Sequence, residues 1–400
     1  MKKLLVSKRS QQLIASPIRK FLPFVIKAKN DGVKVFELNV GDPDIEMPKM
    51  LREDIGKYKS PNMPYAPSPG IKSHIEAWIK YYKELGIKVR PANIVPTQGA
   101  AEGILMALMA VTDPGDEVIV FEPLYTSYKG FAALCNITLK PVTMKIENNF
   151  LLPSVGEVVK QITAKTKAII LINPDNPTGK VWSDKEGRSL IAIARKKNLF
   201  IIADETYRGI VFKGKAETIL TYTSARQNTV VVDSLSKRFS APGIRIGAVI
   251  SYNEEIMSAI LKIAMIRLSA STLGQISTTR MLGASKGYIK KIKKEYAQRS
   301  LVVGRVLRNV PGVQYSKPAG AFYQVIKLPI KSSEDFVHFL ITKFRYKGQT
   351  VLVTPMEDFY ITKGLGKQEI RIAYVLKTSA LKEAIVVLAK GLEAYLKKRA

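Results

Sequence analysis

Between about residues 95 and 250 the chain alternates short, mostly apolar runs with longer amphipathic ones, and this alternation limits the fold more than any other feature. The short runs are DEVIVFE (116–122), ITLKPVTM (137–144), KAIILIN (167–173), LFIIADE (199–205), TVVVDS (229–234) and IGAVIS (246–251). Strands that are apolar on both faces belong to mostly parallel sheets covered by helices on each side. The intervening patterns predict helices at 100–112, 126–135, 184–197 and 254–268, followed by a long, charged helical stretch from about 274 to 309. The fold class is therefore α/β with a central, mostly parallel sheet.

The texture changes after Pro311. A loop with Pro318 and Gly320 leads into AFYQVIKL, a helix SEDFVHFLITKF, strands TVLVT and EIRIAY, and a closing helix from about 378. This reads as a second, smaller α+β domain, joined by the N-terminal segment. The expected division is a large domain over 45–300 and a small one built from 1–44 and 301–400. No internal repeat or low-complexity tract interrupts either part.

Composition removes several classes of function. No apolar stretch is long enough to cross a membrane, and Leu4, Leu5 and Val6 alone are too short a core for a signal peptide. A single Cys135 rules out an intrachain disulfide and makes a reducing cytoplasm the default location. With His74 and His338 the only histidines, neither a structural zinc site nor a Ser-His-Asp triad is expected. The net charge of +30 invites a nucleic-acid reading, but the basic residues are spread along the chain and accompany no nucleic-acid-binding motif. Specific nucleic-acid binding is not expected, and any chemistry must lean on Lys, Tyr, Asp, Arg or a cofactor.

Four segments carry that chemistry. Lys237, in SLSKRFSAPGIRIG, is expected in a loop just beyond the run TVVVDS, where open α/β sheets bind ligands. A lysine desolvated near fixed positive charge loses basicity, and its neutral amine can attack a carbonyl; taken alone, it reads first as a surface lysine in an ion pair. Asp204 ends the apolar run of IIADETYRGI, with Tyr207 three residues on. A buried carboxylate there needs a cation such as a protonated pyridine nitrogen, or else caps a helix. In INPDNPTGKVW, two prolines and Gly179 force a turn that presents the amides of Asn173 and Asn176. In PTQGAAEGILMAL, Gly99 and small alanines open a helix, which lets an anion approach its free N–H groups or, equally, makes a tight packing turn.

In this order and spacing, TQGAAEG, EPLYTSY, NPDNPTG, DETY, SLSKRFSAPGIRIG and IRIAY resemble the class I and II aminotransferases, enzymes of fold type I that use pyridoxal 5′-phosphate. The resemblance runs from ASPIRK (15–20) and NVGDPD (39–44) to IRIAYVL (370–376). It implies that Lys237 carries the coenzyme covalently and, once displaced by substrate, moves a proton between Cα and the coenzyme. It implies further that Asp204 keeps the pyridine nitrogen protonated, that Tyr207 and Asn176 donate to the phenolic oxygen, and that Tyr125 stacks on the ring. Ser234, Ser236, Arg245 and the N–H groups of Ala100 and Ala101 would bind the phosphate. Arg371 would clamp the substrate α-carboxylate, with the Gly41 backbone beside it and Asn176 within reach. Tyr65 matches a tyrosine that reaches the phosphate of the neighbouring subunit, which implies a homodimer with composite active sites.

Three departures from the family pattern stand out. Ala100 and Ala101 stand where many relatives have Gly, Ser or Thr, Ile75 replaces an arginine at a structural position, and Met356 stands where glycine is common, at the expected substrate mouth. The texture is most like bacterial aspartate aminotransferases, so amino transfer from an L-amino acid, aspartate first, to 2-oxoglutarate is expected. Aromatic or alanine transamination and another reaction of the same coenzyme, such as C–S lysis, are the alternatives. No cation for the side-chain carboxylate of aspartate stands out from the many arginines and lysines.

Overall fold

The computed structural model describes residues 5–13, 16–284 and 286–398. Leu4 of the short apolar run and Ala15 of ASPIRK lie outside the described residues. Seven strands form the central sheet: β1 (Ile94–Thr97), β2 (Glu117–Glu122), β3 (Thr138–Thr143), β4 (Thr166–Ile172), β5 (Phe200–Asp204), β6 (Thr229–Ser234) and β7 (Gly247–Ser251). Their order across the sheet is β1-β7-β6-β5-β4-β2-β3. The five strands from β6 to β3 are parallel, while β7 runs antiparallel to both of its neighbours.

Because successive strand residues point to opposite faces, the apolar runs feed two separate cores. Ile169 and Leu171 of β4, Ile201 and Ala203 of β5 and Val231 of β6 join Trp78, Tyr81, Tyr82 and Ile75 on one face. Ile170 and Ile172, Ile202, and Val230 and Val232 join Ile104, Leu108 and Tyr128 on the other. Ile75 is thus a packing residue, as its position implied. Gly103 lets the helix Ala100–Val111 lie directly on the sheet, since a Cβ there would meet Val232 at 2.9 Å. A third core gathers Phe21, Val25, Phe36 and Leu38 with buried residues from the last hundred of the chain. That region contains a four-stranded antiparallel sheet (Gln314–Tyr315, Tyr323–Lys327, Thr354–Pro355, Glu369–Ala373), and Lys34–Glu37 pairs parallel with Gln349–Leu352.

Two expectations about elements need correction. The helical stretch over 274–309 is two helices, Thr272–Leu282 and Lys286–Leu307, because Gly283, a poor helix former, caps the first. The strand β1 was not expected, since Pro96 splits its four residues; it sits at the sheet edge, where a proline costs no ladder bond.

Candidate active site

A cavity of about 440 Å³ opens at the carboxyl ends of β4, β5 and β6. Its size is that of an ordinary small-molecule site. Gly41, Ala100, Ala101, Tyr125, Asn176, Asp204, Tyr207, Ser234, Ser236, Lys237, Arg245 and Arg371 all line it. Residues far apart in sequence are therefore brought together around one space. Tyr65 is outside this lining, at a position 79% exposed. Met356 is fully buried in the core that also holds Phe359 and Tyr360, so it does not shape the cavity mouth as expected.

Lys237 sits in a short helix, Leu235–Arg238, rather than in a loop. The side chain of Ser234 caps this helix, accepting from the Ser236 N–H at 3.2 Å and donating to the Ser236 hydroxyl at 3.0 Å. The Lys237 amine donates to the Gly41 carbonyl at 2.7 Å. Burial lowers its pKa from 10.5 to about 8, with Asp42 opposing and Arg245 and Arg371 adding to the fall. A neutral amine is thus accessible near physiological pH.

Asp204 closes β5 without capping a helix. Its Oδ1 accepts from the Thr206 N–H at 3.0 Å and its Oδ2 from the Tyr128 hydroxyl at 3.0 Å. Burial raises its pKa, while Thr206 and Tyr128 hold it down. Among the described residues no cation pairs with it, although burying an unpaired carboxylate is costly. This is the setting a protonated ring nitrogen would fill.

Arg371, fully buried on the strand Glu369–Ala373, donates through Nη1 to Asn176 Oδ1 at 2.9 Å and through Nη2 to the Asn39 carbonyl at 2.6 Å. Its Nε finds no hydrogen-bond partner among the described residues, and its guanidinium lies 4.4 Å from the Tyr323 ring centroid. Tyr323 in turn shares a hydrogen bond with Tyr207 at 2.9 Å. Gly41 makes this arrangement possible, because a Cβ there would fall 1.8 Å from the Tyr323 oxygen.

At the other end, Arg245 donates to the carbonyls of Pro242 and Gln98 at 2.9 and 3.0 Å and remains exposed. It packs so close to Gly99 (φ +79°) that a Cβ there would approach Nη2 to 2.8 Å. The exposed guanidinium and the start of the helix Ala100–Val111 thus meet at one wall of the cavity, which suits a phosphate. The uncompensated carboxylate, the neutralisable amine and this cationic wall together fit pyridoxal phosphate.

Several residues of the site were not singled out by sequence reasoning. Asn39, Tyr128 and Arg19 were inside the motifs NVGDPD, EPLYTSY and ASPIRK, but the resemblance attached no role to them. Tyr323 lies in AFYQVIKL, where alternation alone could have placed it toward a ligand.

Behind the site lies a buried ionic network. Asp233 accepts from Arg208 Nη2 at 2.6 Å, from Arg238 and from the Tyr82 hydroxyl at 3.2 Å. Arg208 Nε also pairs with Glu205 at 2.7 Å, and the Arg238 guanidinium stacks 4.4 Å from the Tyr81 ring centroid. Burial pushes the Glu205 carboxyl up to about 7, against the pull of Arg208.

The family model for aminotransferases of class I and II matches residues 33–388. An aspartate aminotransferase of Pyrococcus horikoshii is 30% identical over 365 residues, covering 90% of this chain and 91% of that protein. Among solved structures, an aspartate aminotransferase from Thermotoga maritima superposes with a TM-score of 0.89 at 27% identity, covering 97% of this chain and all of that one. An alanine aminotransferase from Pyrococcus furiosus does so with a TM-score of 0.89 at 26% identity, covering 98% and 100%.

Proposed function

Because this chain belongs to the class I and II aminotransferases, we propose that it moves the amino group of an L-amino acid, aspartate foremost, to a 2-oxo acid such as 2-oxoglutarate. The cofactor is pyridoxal 5′-phosphate, which when bound supplies an aldehyde for an amino group and an electron-accepting ring. The single observation that carries the residue assignment is the cavity lining, in which an amine of lowered pKa, a buried carboxylate without an ion pair among the described residues and three guanidiniums converge.

In this reading Lys237 binds the coenzyme covalently and holds or returns the proton taken from Cα, a role its pKa near 8 suits. Asp204, braced by Tyr128 and Thr206, holds the proton on the ring nitrogen. Tyr207 and Asn176 donate to the phenolic oxygen, and Tyr125 covers the ring. Arg245, Ser234, Ser236 and the Ala100 and Ala101 N–H groups hold the phosphate. Arg371 orients the substrate through its α-carboxylate beside Gly41, which aligns the Cα–H bond for proton loss. The division into a large domain (45–300) and a small one (1–44 and 301–400) would let the strand bearing Arg371 close over that substrate. Tyr65, exposed here, would complete the phosphate site of a second subunit in a cytoplasmic homodimer. No described helix is long and apolar enough to cross a membrane.

A panel of L-amino acids offered to the coenzyme-loaded protein tests the activity. Aspartate should convert the bound coenzyme to its amine form and release oxaloacetate. Release of ammonia or sulfide instead would place the protein among lyases on the same scaffold. Faster conversion by alanine or an aromatic donor would replace aspartate as the substrate, a second reading favoured by the likeness to an alanine aminotransferase.

A further inference from the structure

Once the coenzyme and the substrate α-carboxylate are matched to side chains, one cation of the cavity wall is left over. The lining contains Lys237, Arg245, Arg371 and Arg19, and Asp204 is its only acid among the described residues. In the proposed function the first three are committed to coenzyme, phosphate and α-carboxylate. Arg19 is exposed, and its guanidinium has no hydrogen bond or ion pair among the described residues.

The segment around Arg19 is pinned on both sides. The Ile18 carbonyl accepts from Asn39 Nδ2 at 2.9 Å, and Lys20 pairs with Glu334 and with Asp358. Pro17 and Phe21 are buried. Neighbouring Lys20 thus has its charge matched by the protein, whereas that of Arg19 is left at the cavity wall. Asn39 is also the residue whose backbone carbonyl receives Arg371 Nη2 at 2.6 Å, so one residue, through its side chain and its backbone, ties Arg371 to the segment that carries Arg19. A substrate held by one carboxylate at Arg371 would meet that second cation with its other end.

We propose that Arg19 recognises the side-chain carboxylate of a dicarboxylic amino acid or oxo acid. This rests on the proposed function and supplies the cation that the sequence did not single out. Arginine suits the role, since its planar fork matches a carboxylate in paired, charge-assisted hydrogen bonds, and an exposed position keeps the cost of the empty state low.

The test compares wild type with Arg19→Ala and Arg19→Lys in the coenzyme-loaded enzyme. For L-aspartate and L-glutamate, kcat/KM should fall about 10- to 100-fold in Arg19→Ala, the value of a hydrogen bond to a charged group, with Arg19→Lys falling less. L-Alanine, which has no second carboxylate, should be used as well as before. Succinate, an unreactive dicarboxylate, should bind more weakly to Arg19→Ala by calorimetry, while butyrate binding should not change. An equal fall for alanine and aspartate, or unchanged succinate affinity, would overturn the proposal. So would a wild type that transaminates alanine but neither dicarboxylic donor; that result leaves the aminotransferase activity standing. A wild type inert toward every amino acid would sink the proposed activity instead, and the succinate comparison would still decide the role of Arg19.

Discussion

At the ends of β5 and β6 consecutive residues serve two different chemistries on opposite faces of the sheet. Asp204, Tyr207, Ser234 and Lys237 line the cavity, and their immediate neighbours Glu205, Arg208, Asp233 and Arg238 form the buried network behind it. In the network two carboxylates offset two guanidiniums through three ion pairs. In the cavity, neither Asp204 nor Arg371 has an ion pair among the described residues, and Lys237 has lost basicity. The contrast separates charge that holds the fold from charge that waits for a ligand. Similar residue types are buried on both sides, and only the pairing tells them apart.

The largest effect expected from this difference is on the back face. Asp233→Ala would leave two buried guanidiniums without their shared acid, at a cost of about 3–5 kcal/mol in urea unfolding. A loss under about 1 kcal/mol would show that the network is not a structural unit. On the front face, Lys237 should make the coenzyme-free protein gain stability with rising pH. Between about pH 8 and pH 10.5 the folded lysine binds fewer protons than the unfolded one, so the penalty for burying its charge, up to about 3 kcal/mol below pH 8, is relieved across that window. Lys237→Met should flatten this rise, and an unchanged profile in that variant would assign it to another group. Arg371→Ala sharpens the contrast most finely. It should reduce kcat/KM for amino acids about 100-fold, mainly through KM, while coenzyme retention stays as in wild type. Loss of the coenzyme would mean that Arg371 holds the cofactor rather than the substrate.

The two faces were unequally legible in the sequence. Strand residues of KAIILIN, LFIIADE and TVVVDS announce themselves by composition, and the motifs at their ends mark the cavity side. The back face stayed hidden because its contacts join distant positions, such as Tyr82 with Asp233, and an alternating strand does not name its partners. Lys237 was read as a loop residue, since a four-residue helix is too short to show a period. Met356 was placed at the mouth by analogy, although its side chain fills a core beside Phe359, a choice made by packing rather than by local pattern. Asn39 illustrates the remaining gap. Its hydrogen bonds with Ile18, Thr354 and Arg371 join positions across most of the chain, which no local window contains.

The covalent attachment of the coenzyme to Lys237 is the central claim, and trapping it is the most direct test. Protein incubated with pyridoxal phosphate, reduced with borohydride and digested should carry the added mass on the peptide containing Lys237, and Lys237→Ala should lose the label and all turnover. A label on a different lysine, or undiminished transamination by Lys237→Ala, would contradict the account.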